Sequence, residues 1–229
     1  MIRRIYHGSD HIIECPRLGL GKPYNDYGPG FYCTEQLAMA KEWGARHGHD
    51  GFANVYDICM DGLSVLDLNG GGRTILHWLA VLLQNRTFDI SFGLAREARA
   101  YLLSAFAVDY STCDVMVGYR ADDSYFSFAQ DFLNGSISLR QLDAAMHLGE
   151  LGQQFVLKSE RAFQALAFVG YELAQREVYY PRARQRDLAA RQRYFSEERM
   201  ARRSGDVYIT QILDEEMGPE DERLQRNLS

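Results

Sequence analysis

The chain has 229 residues, of which 46 % are hydrophobic and 24 % are charged, and its formal net charge is −6. These values are typical of a soluble globular protein and exclude an overall basic surface for nucleic acid or anionic membranes. The longest apolar run is too short to span a bilayer and no signal peptide is recognisable, so we expect a cytoplasmic protein without a membrane partner.

Apolar periodicity and breaker residues predict alternating strands and helices over most of the chain. The predicted strands cover residues 2–7, 52–60, 63–68, 114–119 and 154–158. The predicted helices cover residues 35–43, 75–84, 95–108, 138–149 and 159–175, with Thr34, Ser138 and Ser159 as capping residues. Trp78, in the most apolar helix, is predicted to lie in the core.

The charge pattern changes near Pro181. Residues 176–203 contain nine arginines and four acids, whereas residues 205–229 contain seven acids and two arginines. We expect a solvated helix, a short strand at 207–213 and an acidic tail. The aromatic residues Tyr179, Tyr180, Tyr194 and Phe195 predict that the helix packs back on the body, and contact with nucleic acid or an acidic partner is the alternative. The domain prediction is residues 1–175 followed by a charged extension, 176–229.

The stretch from Tyr24 to Trp43 has the composition of a binding loop. Two glycines flank Pro29 and let the backbone approach a flat group closely. Tyr24, Tyr27, Tyr32 and Trp43 supply aromatic faces, which suit either a planar ligand or an aromatic corner of the core.

Other polar residues have both structural and functional interpretations. Arg3 or Arg4 is a candidate partner for a diphosphate. Asp122 and Asp123 form either a solvated turn or the edge of a cleft. His47 and His49 have the spacing of metal ligands but no third ligand, and the four separated cysteines add none, so no metal site is predicted.

Seven short pieces follow one another in the chain: Tyr6 to Ser9, Asp26 to Thr34, Ala40 to Trp43, Trp78-Leu79, Asn85-Arg86, Asp114 to Asp123 and Gln154-Phe155. In this order they resemble the ADP-ribosyltransferase superfamily, on its branch with a His-Tyr-Glu triad, and most closely the DUF3990 family. The resemblance covers about residues 1–170. It implies an α+β fold with a split mixed and antiparallel sheet, flanking helices and a C-terminal helical extension.

The resemblance also implies a binding site for NAD, the expected substrate. His7 would hydrogen-bond a hydroxyl of the nicotinamide ribose, and the backbone of Gly8 would face the carboxamide. Tyr32 would stack on the nicotinamide ring and Trp43 would cover its other side. Ser9 and Asp26 are further predicted cofactor contacts, with capping of the glycine turn as the preferred alternative for Asp26.

The catalytic residues implied are His7, Tyr32 and Gln154, the last of which stands where relatives carry glutamate. A neutral amide can orient the ribose but cannot stabilise a cation as a carboxylate does. Glu150, Asp122 and Asp123 are the candidate accessory acids.

The predicted function is an NAD-dependent mono-ADP-ribosyltransferase acting on a protein or nucleic acid, as a toxin–antitoxin or phage-defence effector with an antitoxin as candidate partner. The alternatives are a non-catalytic NAD or ADP-ribose binding module and an NAD glycohydrolase.

Overall fold

The computed structural model describes residues 1–45, 48–91, 93–121 and 123–226, without the side chains of residues 123, 124, 150 and 226. The strands are β1 (Ile2–Ser9), β2 (Phe31–Cys33), β3 (Gly51–Cys59), β4 (Val65–Asp67), β5 (Val115–Tyr119), β6 (Gln153–Leu157) and β7 (Leu166–Ala174). The helices are α1 (Leu37–Gly44), α2 (Ile75–Asn85), α3 (Gly93–Ala105), α4 (Asp123–Leu133), α5 (Leu139–Met146), α6 (Glu160–Gln164), α7 (Arg176–Ser196), α8 (Ile209–Asp214) and α9 (Glu222–Arg226). Short 3₁₀ turns occupy Leu148–Glu150 and Glu198–Met200. Within these ranges, no helix is long and apolar enough to cross a bilayer.

The strands form two sheets that meet at one point. One sheet is antiparallel with the order β1-β3-β7, and the other is mixed with the order β2-β6-β5-β4, in which β4 runs parallel to β5. An isolated β-bridge between Tyr6 and Thr34 joins them. The Tyr6 amide donates to the Thr34 carbonyl over 2.8 Å, and the Thr34 amide donates to the Tyr6 carbonyl over 2.9 Å. The predicted α+β class with mixed and antiparallel sheets is confirmed.

The larger hydrophobic core draws on residues from Tyr27 to Leu224. Trp78 is fully buried there, as predicted, and donates to the Tyr119 carbonyl over 3.1 Å. From α7, Tyr194 is buried with its ring centroid 3.9 Å from that of Phe128, and its hydroxyl donates to Asp131. The prediction that the arginine-rich helix packs back on the body is therefore confirmed, although Phe195 remains about half exposed.

Two predictions of secondary structure are wrong, and one helix was not predicted. The helix expected over 159–175 ends after α6, because residues 166–174 pair along β3 and alternate in exposure as a strand does. The strand expected over 207–213 is instead α8, in which Ile209 and Ile212 are buried three residues apart on one helix face. Helix α4 was not predicted: its first residue, Asp123, was expected in a turn with Asp122, which lies outside the described residues.

Helix α1 packs directly on β1. It begins at Leu37, later than predicted, because Thr34 still pairs with Tyr6 and its hydroxyl accepts from the Gln36 amide at 3.2 Å. A Cβ built on Gly8 would lie 2.0 Å from the Ala40 carbonyl oxygen and 2.7 Å from the Gly44 nitrogen. Glycine at position 8 is therefore required for this close approach of helix and strand.

We expect Gly8→Ala to lower the free energy of unfolding by about 1–3 kcal/mol, because the new Cβ overlaps backbone atoms that cannot rotate away. Urea unfolding measures the change. Gly93→Ala is the matched control, since a Cβ at Gly93 meets nothing within 4 Å. That helical alanine is expected to be neutral or stabilising by up to about 1 kcal/mol. Wild-type stability of Gly8→Ala would contradict the packing described.

Candidate functional site

A cavity of about 850 Å³ opens where the two sheets separate. Its volume lies within the range of about 300–1,000 Å³ that is usual for small-molecule and cofactor sites. All seven residues predicted as catalytic or cofactor-binding contribute to its wall, although they come from five separate parts of the chain. They are His7, Gly8, Ser9, Asp26, Tyr32, Trp43 and Gln154.

The imidazole of His7 is held in one orientation. Its Nδ1 lies 2.7 Å from the Tyr32 carbonyl oxygen, and its ring stacks on Phe31 with centroids 4.3 Å apart. Burial lowers the pKa of His7, which favours the neutral ring at pH 7. Because Nδ1 must carry the proton to bond a carbonyl, Nε2 is left as a hydrogen-bond acceptor.

The backbone groups of Gly8 point toward the edge of β1 that borders the second sheet. Tyr6 bonds Thr34 through both its N–H and its C=O, so it lies in a non-hydrogen-bonded pair with β3. Antiparallel pairs alternate along a strand, and Gly8 is two residues further on. Its N–H and C=O therefore face the same way as those of Tyr6, on the wall of the cavity.

The hydroxyl of Ser9 already makes hydrogen bonds within the protein. It donates to the His11 carbonyl and accepts from Asn54 over 3.0 Å. Asn54 is fully buried in β3 and also accepts from the Ile13 amide at 2.8 Å, so it holds the turn after β1 against the sheet. Sequence reasoning missed Asn54, although a polar residue inside an apolar strand pattern was an available signal.

The ring of Tyr32 is anchored to the glycine turn that precedes it. Its hydroxyl donates to the Gly28 carbonyl over 2.6 Å and accepts from the Tyr27 amide over 3.0 Å. Gly28 has φ +70°, and a Cβ there would lie 2.5 Å from Asn85 Oδ1. The ammonium of Lys158 ties the turn from the other side through the Tyr27 and Pro29 carbonyls, a role the sequence did not reveal.

Asp26 and Gln154 form a buried pair. Gln154 Nε2 donates to Asp26 Oδ2 over 3.0 Å, the Ala121 amide donates to the same oxygen over 2.9 Å, and Arg86 donates to Oδ1 over 2.9 Å. Burial raises the pKa of Asp26, and these donors oppose the rise. The preferred interpretation of Asp26 as a cap of the glycine turn is wrong, because its carboxylate is held by residues distant in sequence.

The same pair sets the direction of the Gln154 amide. An ionised carboxylate only accepts hydrogen bonds, so the NH₂ group of the Gln154 amide must face Asp26. The amide oxygen, Oε1, therefore points away from Asp26. Gln154 lines the cavity and is 4 % exposed. The arrangement therefore offers the cavity a neutral hydrogen-bond acceptor.

Trp43 is covered on one face by another residue. The guanidinium carbon of Arg120 lies 4.0 Å from the centroid of the Trp43 ring. The indole N–H is buried and, in the part of the chain that the structure describes, has no hydrogen-bond partner. Trp43 and Arg120 therefore line the cavity as a stacked pair, in which Arg120 covers one face of the indole ring.

The remaining candidates divide into those placed elsewhere and those not described. Arg4 pairs with Asp57 and Arg3 with Glu35, and neither lines the cavity, so the hypothesis of a diphosphate contact is wrong for both. The candidates that lie outside the described residues or side chains are His47, Asp122, Asp123 and Glu150.

Comparison with protein families gives one match over most of the chain. The family model described as "Protein of unknown function (DUF3990)" matches residues 3–168, more than two thirds of the sequence. No curated protein and no solved structure matches the chain. The matched segment carries every residue described above in contact with Asp26 or Tyr32.

We expect Gln154→Glu to destabilise the protein by about 1–3 kcal/mol at pH 7, because it removes a donor to Asp26 and places two carboxylates side by side. Repulsion raises the pKa of the new carboxyl above its unfolded value. The penalty is therefore present when that group is ionised and shrinks as the pH falls toward 4. Urea unfolding of wild type and variant at pH 7 and near pH 4 measures this penalty.

Asp26→Asn is the matched second change, since an asparagine can donate to a glutamate at position 154. In a double-mutant cycle the two changes together should cost less than the sum of the single changes. Simple additivity would contradict a direct Asp26–Gln154 interaction.

Proposed function

The chain belongs to the DUF3990 family, and on that premise we propose that it is an NAD-dependent mono-ADP-ribosyltransferase. The observation that carries the proposal is the convergence of His7, the open backbone edge of Gly8, Tyr32 and Gln154 on one cavity. Each offers a different chemical group, and together they match the parts of a nicotinamide riboside.

The nicotinamide half of NAD is proposed to bind at the end of β1. The carboxamide has one donor and one acceptor side, which complement the C=O and N–H of Gly8. The pyridinium ring stacks on Tyr32, since an aromatic face attracts a cationic ring. His7 Nε2 accepts a hydrogen bond from a ribose hydroxyl.

In the proposed reaction the bond between ribose C1′ and the nicotinamide nitrogen breaks, and its electron pair leaves with nicotinamide. C1′ acquires positive charge and is attacked by a nucleophile of the acceptor, which releases its proton to water as the new bond forms. Gln154 Oε1 accepts from the ribose 2′-hydroxyl and fixes the sugar for this displacement. The ionised Asp26 behind the amide adds negative potential near the developing cation.

Two alternatives use the same cavity. Hydrolysis results if water takes the place of the macromolecular acceptor, and a sensor of NAD or ADP-ribose results if binding occurs without cleavage. The sensor is favoured by one observation: three donors within the protein already occupy most of the acceptor capacity of the Asp26 carboxylate, which leaves it little to offer the ribose.

Incubation of the full chain with NAD separates these functions. Nicotinamide release, followed by chromatography, distinguishes an enzyme from a sensor. With NAD labelled in the adenylate part, label on protein or nucleic acid from a cell extract indicates transfer, and free ADP-ribose indicates hydrolysis. Measurable NAD binding without nicotinamide release in any extract would overturn the enzymatic proposal.

We expect Tyr32→Ala to lower nicotinamide release by roughly tenfold or more, because the stacking surface is lost. Tyr32→Phe is the matched control: it keeps the ring and loses only the hydroxyl bonds to the glycine turn, at a cost of about 1 kcal/mol in stability. Tyr32→Phe should retain most of the activity. Full activity of Tyr32→Ala would contradict the assigned position of the nicotinamide.

A further inference from the structure

Five cationic side chains line the cavity, and three of them already have partners. Arg86 pairs with Asp26. Arg191 of α7 pairs with Asp187 over 3.0 Å. Arg120 stacks on Trp43. The other two are Arg17 and Lys22, and no ion pair to either is found among the residues that the structure describes.

Arg17 and Lys22 lie on one exposed segment, residues 14–24, which we call the rim loop. Apart from Pro16, every residue of the rim loop is exposed, including Leu20 and Tyr24, each 80 % exposed. Leu20 also lines the cavity. The rim loop therefore combines two cations with exposed apolar side chains, and a ligand that has both anionic and apolar parts can bind such a surface.

We propose that Arg17 and Lys22 form the subsite for the diphosphate of NAD. This inference rests on the proposed function and names the part of the site that holds the two phosphates. The rim loop connects the strand that carries His7 and Gly8 to the glycine turn of Tyr32, and its two cations line the same cavity as these residues. A guanidinium and an ammonium match the two negative charges of the diphosphate.

The other arginines near the first strand do not fill this role. Arg4 forms a two-point ion pair with Asp57, and Arg3 pairs with Glu35, both outside the cavity. A diphosphate would have to replace a protein carboxylate at these positions. At Arg17 and Lys22 it adds a counter-charge where the described chain supplies none.

Calorimetric titration of the full chain with ADP-ribose tests the proposal. The double variant Arg17→Gln/Lys22→Gln should bind ADP-ribose at least about tenfold more weakly than wild type, and its affinity should depend less on salt. Both residues are exposed, so the fold is retained. Arg3→Gln is the matched control and should bind as wild type does.

Protection of the rim loop from chymotrypsin gives a second readout, since Leu18, Leu20 and Tyr24 lie between or beside the two cations. ADP-ribose should protect the loop in wild type and fail to protect it in the double variant. Equal ADP-ribose affinity of wild type and double variant would overturn the diphosphate subsite and leave the proposed function standing. Binding that depends on Arg17 and Lys22 without nicotinamide release would support the subsite and overturn the transferase.

Discussion

The carboxylate of Asp26 is the constraint on which the rest of the site depends. It joins the loop before β2, the residue after α2, the chain beyond β5 and the start of β6 through three hydrogen-bond donors. A buried carboxylate is costly unless it is paired in this way. The four segments are therefore fixed relative to one another at the floor of the cavity, and the Gln154 amide takes its direction from that arrangement.

Much of the fold follows from local pattern, and the exceptions have a common cause. Strands β1, β5 and β6 and helix α2 were predicted because apolar spacing and breakers agree there. Residues 166–174 contain helix-forming Ala, Leu and Glu, but pairing with β3 outweighs that preference. Residues 207–213 have β-branched side chains, yet burial of Ile209 and Ile212 favours a helix. In both cases distant contacts decide the structure.

The candidate site was predictable as a set of pieces but not as a network. The motifs around His7, Tyr32 and Gln154 identified residues that do share one cavity. The pairing of Asp26 with Arg86, 60 residues away, has no local signature. Nor does the bond from Lys158 to the glycine turn, because a single lysine after a strand is ordinarily a solvated residue. The Asn85-Arg86 motif acquires a structural role only once the fold is known: Asn85 lies against Gly28, and Arg86 forms an ion pair with Asp26.

The placement of α7 constrains when the pocket can form during synthesis of the chain. Asp187 and Arg191 line the cavity and Tyr194 is buried in the larger core, although all three follow the segment shared with the family. A nascent chain that ends before these residues lacks one wall of its pocket. The pocket can consequently assemble in full only after residue 191 has been synthesised.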